Sequence, residues 1–150
     1  MESECEKLLP FRQMNDWSCG VAALRFLMSL TVWPLLKKQG RDILEYVPKE
    51  DTLGTTSEDG TDPENVEKYL SLIHIPYRVS RAGRVKKLSV PAMVLFRSDD
   101  PEDHYGVVVS IGEKVTLFCP WYCEYQKYSL EEFESLWWTE RYGNGWSLHI

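Results

Sequence analysis

The sequence lacks any apolar run long enough to cross a bilayer. Its longest apolar stretches, residues 90–96 and 105–111, fall far short of the roughly 20 residues that a membrane-spanning helix needs. Residues 1–6 are acidic, whereas an export signal begins with basic residues followed by an apolar segment. We therefore expect a soluble protein of the cytoplasm that makes no membrane contact.

An excess of basic residues is also missing. Lys and Arg number 17 against 23 Asp and Glu, which gives a net charge of −6 and an isoelectric point near 5.1. Because a negative domain is repelled by phosphate backbones, we predict that it does not bind nucleic acid.

No Gly/Ser-rich or Pro-rich linker and no internal repeat divides the chain. Its 150 residues are 43% hydrophobic and 27% charged, a composition typical of one globular domain with a buried core. We predict a single domain that spans residues 1–150.

Cysteine is scarce, and its four positions are Cys5, Cys19, Cys119 and Cys123. Without an export signal we expect free thiols rather than disulfides. The spacing of Cys119 and Cys123 is a weak zinc signal because no second ligand pair accompanies it. We therefore predict no metal and no organic cofactor.

Two hydrophobic periods follow one another along the chain. Residues 20–30 carry apolar side chains on most sides of a predicted helix, and Asp62 precedes a second helix that begins with Pro63 and runs to about Ile73. Short β-branched and aromatic segments at 76–80, 91–96, 104–111 and 114–118 predict strands, the last two joined by a hairpin. Ser129 and Glu132 predict a capping box at a later helix. The fold class is thus α+β, with N-terminal helices packed on an antiparallel sheet.

The segment before the first helix contains the candidate nucleophile. Cys19 stands at the helix start, where the helix dipole and free N–H groups favour a thiolate near neutral pH. The side chain of Gln13 and the N–H of Cys19 would form an oxyanion hole. Gly20 would let a substrate backbone approach. The simpler alternative is that Cys19 is a small buried residue at a helix end.

A thiol nucleophile needs a base, and the sequence has three histidines. His104 begins a strong strand directly after the acidic loop 99–103, which would favour an imidazolium ion. His74 follows a predicted helix end, and His149 is the penultimate residue. We predict His104 as the base.

Aromatic residues fall into two groups. Trp17, Trp121 and Tyr122 are expected to border a substrate groove, with Trp17 and Trp121 as substrate-binding residues. The remaining tryptophans, Trp137, Trp138 and Trp146, are expected in the core. The basic residues at 37–38 and 84–87 are expected on solvated surfaces and receive no function.

The order Gln13…Cys19-Gly20, then Leu-Gly-Thr-Thr…Gly-Thr-Asp-Pro at 53–63, then His-Tyr-Gly-Val-Val-Val at 104–109 resembles the bacteriocin-processing, double-glycine-leader peptidases of the papain-like clan. The resemblance covers most of the chain, and residues 129–137 and 142–143 resemble that family's closing helix and final strand. It implies a papain-like cysteine peptidase fold, Cys19 as nucleophile, His104 as general base and Gln13 as oxyanion donor. The implied partner is a peptide or protein substrate, cleaved after small residues such as Gly-Gly.

One position departs from the family pattern. Where such peptidases carry Asp or Asn before a proline, this chain has Cys119 before Pro120, and a thiol is a weak hydrogen-bond partner for an imidazole. His104 would then be oriented by Cys119, by Asp100 or Asp103 from the preceding loop, or by none of them. Besides a cysteine peptidase, the sequence leaves open a catalytically silent peptide-binding domain and a thiol acyltransferase. No particular oligomeric state is predicted.

Overall fold

The computed structural model describes residues 11–81, 83–97, 103–139 and 143–150. Its helices are α1 (Cys19–Thr31), α2 (Trp33–Lys38), α3 (Pro63–Leu72) and α4 (Leu130–Leu136), with 3₁₀ turns at Ile43–Tyr46 and Val85–Lys87. The strands are β1 (Arg78–Ser80), β2 (Ala92–Arg97), β3 (Asp103–Ile111), β4 (Lys114–Cys119), β5 (Glu124–Ser129), β6 (Trp138–Thr139), β7 (Gly143–Asn144) and β8 (Ser147–His149).

The strands form one antiparallel sheet and a short ribbon. The sheet has the order β1-β8-β2-β3-β4-β5, and β6 pairs with β7. The predicted hairpin is confirmed, since β3 pairs with β4 from Ile111↔Val115 to Val107↔Phe118. Together with the helices, this confirms the predicted α+β class.

Helix α1 covers one face of the sheet. It is apolar on most sides, so it buries residues such as Leu24 and Leu27 completely. The ring of Phe26 stacks on that of Phe118 in β4 with a centroid distance of 4.1 Å. This contact ties the helix that begins at Cys19 to the centre of the sheet.

The second face of the sheet is covered by α4. Alternate strand residues such as Phe96 and Val108 point to this side and pack against Phe133 and Trp137. Trp137 also donates its indole N–H to the carbonyl of Trp146 over 2.8 Å. The predicted burial of these two tryptophans is confirmed, whereas Trp138 is only half-buried, with the Arg97 guanidinium 4.9 Å from its ring centroid.

Both predicted helix starts are confirmed by their hydrogen bonds. The Asp62 carboxylate accepts from the N–H of Glu64 at 3.0 Å, and Pro63 is the first residue of α3. At α4, Glu132 N–H donates to the Ser129 hydroxyl at 3.1 Å, and Ser129 N–H donates to the Glu132 carboxylate at 3.4 Å. Across the described ranges, no helix has both the length and the apolar character of a membrane span.

Candidate active site

The loop before α1 is held by its own side chains. Ser18 occupies the N-cap position, yet its side chain makes no capping bond. Its hydroxyl instead accepts from the N–H groups of Met14 (3.0 Å) and Asn15 (3.3 Å). The Asn15 carboxamide accepts from Trp17 N–H (3.1 Å) and donates to Glu50 (2.8 Å). The loop is therefore fixed, and the first N–H groups of α1 remain uncapped by Ser18.

Gln13 is buried beside the loop that follows β4. Its backbone N–H donates to the Pro120 carbonyl at 3.3 Å, and its side-chain N–H donates to the Asn15 carbonyl at 2.7 Å. Its Oε1 is buried and has no hydrogen-bond partner among the described residues. An amide nitrogen carries two hydrogens, so one N–H of Gln13 is still available for a ligand.

Cys19 is the first residue of α1 and is half-buried. Burial raises the pKa of its thiol above the ordinary value, and this is the largest effect. The backbone N–H groups of Tyr105, Gly20 and Cys19 lower the pKa, while Cys119 raises it. The start of α1 and these N–H groups thus favour the thiolate, while burial favours the neutral thiol and is the larger effect.

His104 directly precedes Tyr105, whose backbone N–H contacts the Cys19 sulfur. It is the second residue of β3, is buried, and lies opposite Phe96 of β2 in the sheet. The Tyr105 N–H faces the Cys19 sulfur, so the backbone that follows His104 lies at the thiol. The His104 ring lies 6.4 Å from that of Trp121 between centroids.

The candidate orienting residues differ in position. Asp103 begins β3 and lies opposite Arg97 of β2 in the register of the sheet. Asp100 lies outside the described residues. Cys119 ends β4 and is buried. Burial raises the pKa of its thiol, and Glu124 adds to this, while the backbone N–H groups of Tyr122 and Trp121 lower the pKa. Cys119 is thus a neutral thiol bound within its own turn.

The other two histidines lie elsewhere. His74 is exposed just beyond α3, with a φ of 59°. His149 lies in β8, where its ring contacts Ser89 and Ser147.

Gly20 packs closely against two other parts of the chain. A Cβ on Gly20 would lie 2.6 Å from the Thr61 Cβ and 3.1 Å from a Tyr105 ring carbon. Its small size therefore serves the packing of α1 against these residues, and its predicted contact with a substrate backbone stays a prediction.

Sequence reasoning missed the strap, residues 53–62, that makes this contact. Thr61 accepts a 2.7 Å hydrogen bond from the Tyr105 hydroxyl through its carbonyl, and its own hydroxyl lies 2.6 Å from that of Thr55. The available signal was Gly54 and Gly60, whose φ angles of 61° and 66° allow the sharp turns.

Aromatic and sulfur-containing side chains border the site on the solvent side. Trp17 is half-buried, whereas Trp121 and Tyr122 are 38% and 60% exposed. Met14, which was not predicted, is 84% exposed next to Gln13. Exposed apolar side chains beside a polar centre are typical of a ligand groove.

The solved structures that resemble this chain include the following two. The first is a double glycine motif protease from an AMS/PCAT transporter in complex with the leader peptide; it is 20% identical, has a TM-score of 0.64, and the match covers 92% of this chain and 86% of that chain. The second is the peptidase domain of Streptococcus mutans ComA, 19% identical with a TM-score of 0.57, covering 91% and 93%.

Neither a protein-family model nor a curated protein sequence matches the chain. The likeness to the solved structures concerns the fold, which is that of the papain-like domains of double-glycine peptidases. The fold predicted from the sequence resemblance is confirmed.

Proposed function

We propose that the protein is a cysteine peptidase that cleaves a peptide or protein through a thioester on Cys19. The observation that carries the proposal is the contact between the Tyr105 N–H and the Cys19 sulfur. It places the thiol at a helix start beside the strand residue that follows His104. A thiol and an imidazole on two rigid elements are the minimum set for nucleophilic acyl transfer.

The first half-reaction forms the thioester. His104 removes the proton from the Cys19 thiol as the sulfur attacks the scissile carbonyl carbon, and the carbonyl electrons move to oxygen. The tetrahedral intermediate then collapses, the C–N bond breaks, and His104 returns the proton to the departing amine. Burial raises the pKa of the Cys19 thiol, which favours transfer of its proton to His104 as the sulfur attacks.

The second half-reaction consumes water. His104 takes a proton from a water molecule that attacks the thioester, and the C–S bond breaks to release a carboxylic acid and the Cys19 thiol. The free N–H of Gln13 and the N–H of Cys19 stabilise the oxyanion in both steps.

Two features support a peptide substrate. A neighbour of the same fold is in complex with a leader peptide, and the described residues offer the exposed apolar border formed by Met14, Trp121 and Tyr122. Small residues before the scissile bond, such as Gly-Gly, follow from the sequence resemblance.

The test is single-turnover cleavage of a Gly-Gly-containing leader-type peptide. Cys19→Ala is expected to abolish cleavage, and Gln13→Ala to slow it by roughly 100-fold because it removes an oxyanion donor. Cys123→Ala, which also removes a buried thiol, is the matched control and should retain activity. If the Cys19→Ala variant cleaved the peptide at the wild-type rate, Cys19 would not be the nucleophile.

A second candidate is a catalytically silent domain that binds a peptide in the same groove. The observation that favours it is the neutral thiol of Cys119 at the position where the family carries Asp or Asn. The two functions differ in the covalent product at Cys19, which mass spectrometry detects after the peptide is mixed with the protein. Cleavage with a transient peptide thioester on Cys19 supports the enzyme, whereas peptide binding with neither cleavage nor a thioester supports the silent domain.

A further inference from the structure

A shallow, open cavity of about 350 Å³ lies at the β1–β8 side of the sheet. Its lining includes three polar side chains, Arg78, Ser89 and His149, and the apolar surfaces of Tyr77, Val90 and Pro91. No Asp or Glu is among the described residues that line it. A concave site with a few converging polar groups on apolar walls is typical of small-molecule binding.

The polar side chains form one hydrogen-bonded chain. The Arg78 guanidinium donates to the Ser89 hydroxyl at 2.9 Å, and that hydroxyl lies 3.3 Å from Nδ1 of His149. The other ring nitrogen of His149 lies 2.9 Å from the Ser147 hydroxyl. Since a guanidinium carries five N–H groups and only one donates to Ser89, further donors of Arg78 remain for a ligand.

This cavity is separate from the candidate active site. Strand β8 joins β2 at Met93 and Val94, whereas His104 pairs with Phe96. Met93 and Phe96 are three residues apart, which is roughly 10 Å along a strand. The cavity also lies two strands from β3 in the sheet order.

The cavity adjoins the most basic segment of an acidic protein. Residues 78–87 contain five cationic residues and no Asp or Glu, although the whole chain carries −6. All five are exposed: Arg78, Arg81, Arg84, Lys86 and Lys87. The positive potential of this segment therefore attracts anions, which the negative net charge of the whole chain would not predict.

The pKa of His149 is affected by the same positive charges. Burial lowers the pKa of its imidazole, and the positive charge of Arg78 lowers it further, while a hydrogen bond with the Ser89 backbone raises it. A bound anion would offset the effect of Arg78 and stabilise the imidazolium.

We propose that this cavity binds the phosphate group of a small molecule. Arg78 and Ser89 donate to the phosphate oxygens. When His149 is protonated, its Nδ1–H donates to the Ser89 hydroxyl oxygen, which leaves the Ser89 O–H for the ligand. The Arg78 guanidinium pairs with two oxygens of a tetrahedral anion at once. The organic part of the ligand packs on Tyr77, Val90 and Pro91, so a phosphate monoester binds more tightly than inorganic phosphate.

The experiment follows the three histidine imidazoles by NMR during titration of the whole protein. Phenyl phosphate, inorganic phosphate and benzoate are compared at constant ionic strength. We expect saturable shifts at His149 and none at the exposed His74, the tightest binding for phenyl phosphate, and a rise in the His149 pKa in the complex. Arg78→Gln should weaken binding by roughly 10-fold or more, because it removes a charged donor.

Arg84→Gln removes the same charge from the same segment outside the cavity, so it should change the affinity by about threefold or less, a screened surface effect. An equal loss in both variants would overturn the site in favour of a diffuse basic surface. Benzoate binding as tightly as phenyl phosphate would overturn the assignment to phosphate. An unchanged His149 spectrum with both phosphates would overturn the proposal altogether.

Discussion

At Cys19, two physical effects of opposite sign act on one sulfur atom. The first turn of α1 and the Tyr105 N–H favour a negative charge there, while burial against the sheet disfavours it. Burial is the larger effect and raises the pKa of the thiol. In the proposed mechanism, reactivity therefore depends on the position of His104 and not on the helix alone.

The pH dependence of Cys19 labelling tests this balance. A thiol with a raised pKa has less thiolate at neutral pH, so its alkylation rate should keep rising through and above the ordinary thiol pKa. The measurement is site-resolved mass spectrometry after short exposure to iodoacetamide across a pH series. A rate that levels off below neutral pH would indicate a preformed thiolate–imidazolium pair instead.

Among the described residues, Cys119 and Asp103 are the two candidates for orienting the imidazole of His104. If it stands behind His104, Cys119→Asp supplies a carboxylate that fixes the ring and stabilises its positive charge, so turnover should rise. The matched comparison is Asp103→Asn, which should leave turnover unchanged in that case. A loss of turnover in Asp103→Asn, with no gain in Cys119→Asp, would assign the orienting role to Asp103.

The sequence anticipated that Gln13, Cys19 and Cys119 would lie close together, but it did not anticipate the electrostatics of the Cys19 thiol. Gln13, Cys19 and Cys119 converge because one loop donates to the next at Pro120, and the order of motifs in the sequence anticipated that. The raised thiol pKa arises from burial by residues distant in sequence, which no local pattern encodes. The same holds for Gly20, whose neighbour Thr61 lies on another segment.

At the scale of elements, the strap 53–62 positions the start of α1. Thr61 touches both Gly20 and Tyr105, so one residue joins the nucleophile helix to the strand that carries His104. The strap therefore fixes the distance between the two catalytic elements in the proposed mechanism.

Gly20→Ala tests this packing. The added Cβ would meet the Thr61 Cβ at 2.6 Å, so we expect a loss of about 1–3 kcal/mol in the free energy of unfolding despite the better helix propensity of alanine. Gly112→Ala, where a Cβ meets nothing within 4 Å, is the control. Equal unfolding midpoints in urea for both variants would show that the strap shifts to accommodate the added Cβ without a measurable loss of stability.

Elements with strong local signals were predicted, and those that depend on partners were missed. The capped helices and the hairpin carry their own signals. Strand β5 was missed because Glu124–Ser129 is largely polar and its tyrosines, Tyr125 and Tyr128, face opposite sides of the sheet. Strand β8 has one core residue, Leu148, and enters the sheet between β1 and β2. Only the tertiary pairing makes it a strand.

At the scale of the whole molecule, one sheet carries two separate polar centres. The thiol and His104 lie toward one end of the β2–β3 pair, and the phosphate cavity lies beside β1 and β8. Apolar residues of β2, among them Val94 and Leu95, are buried between them. Close-packed strands of this kind offer no hinge through which one centre would sense the other.

We therefore predict that the two centres act independently. Groups farther apart than about 7–10 Å without shared partners contribute additively to within roughly 0.5 kcal/mol. Arg78→Gln should leave the Cys19 labelling rate within about twofold, and Cys19→Ala should leave the affinity for phenyl phosphate within the same limit, because 0.5 kcal/mol corresponds to about a twofold change. The decisive measurement is Cys19 labelling with and without saturating phenyl phosphate. A larger change in that rate would mean that the ligand favours one of two arrangements of the sheet, and by reciprocity a peptide bound near Cys19 would alter phosphate affinity by the same factor.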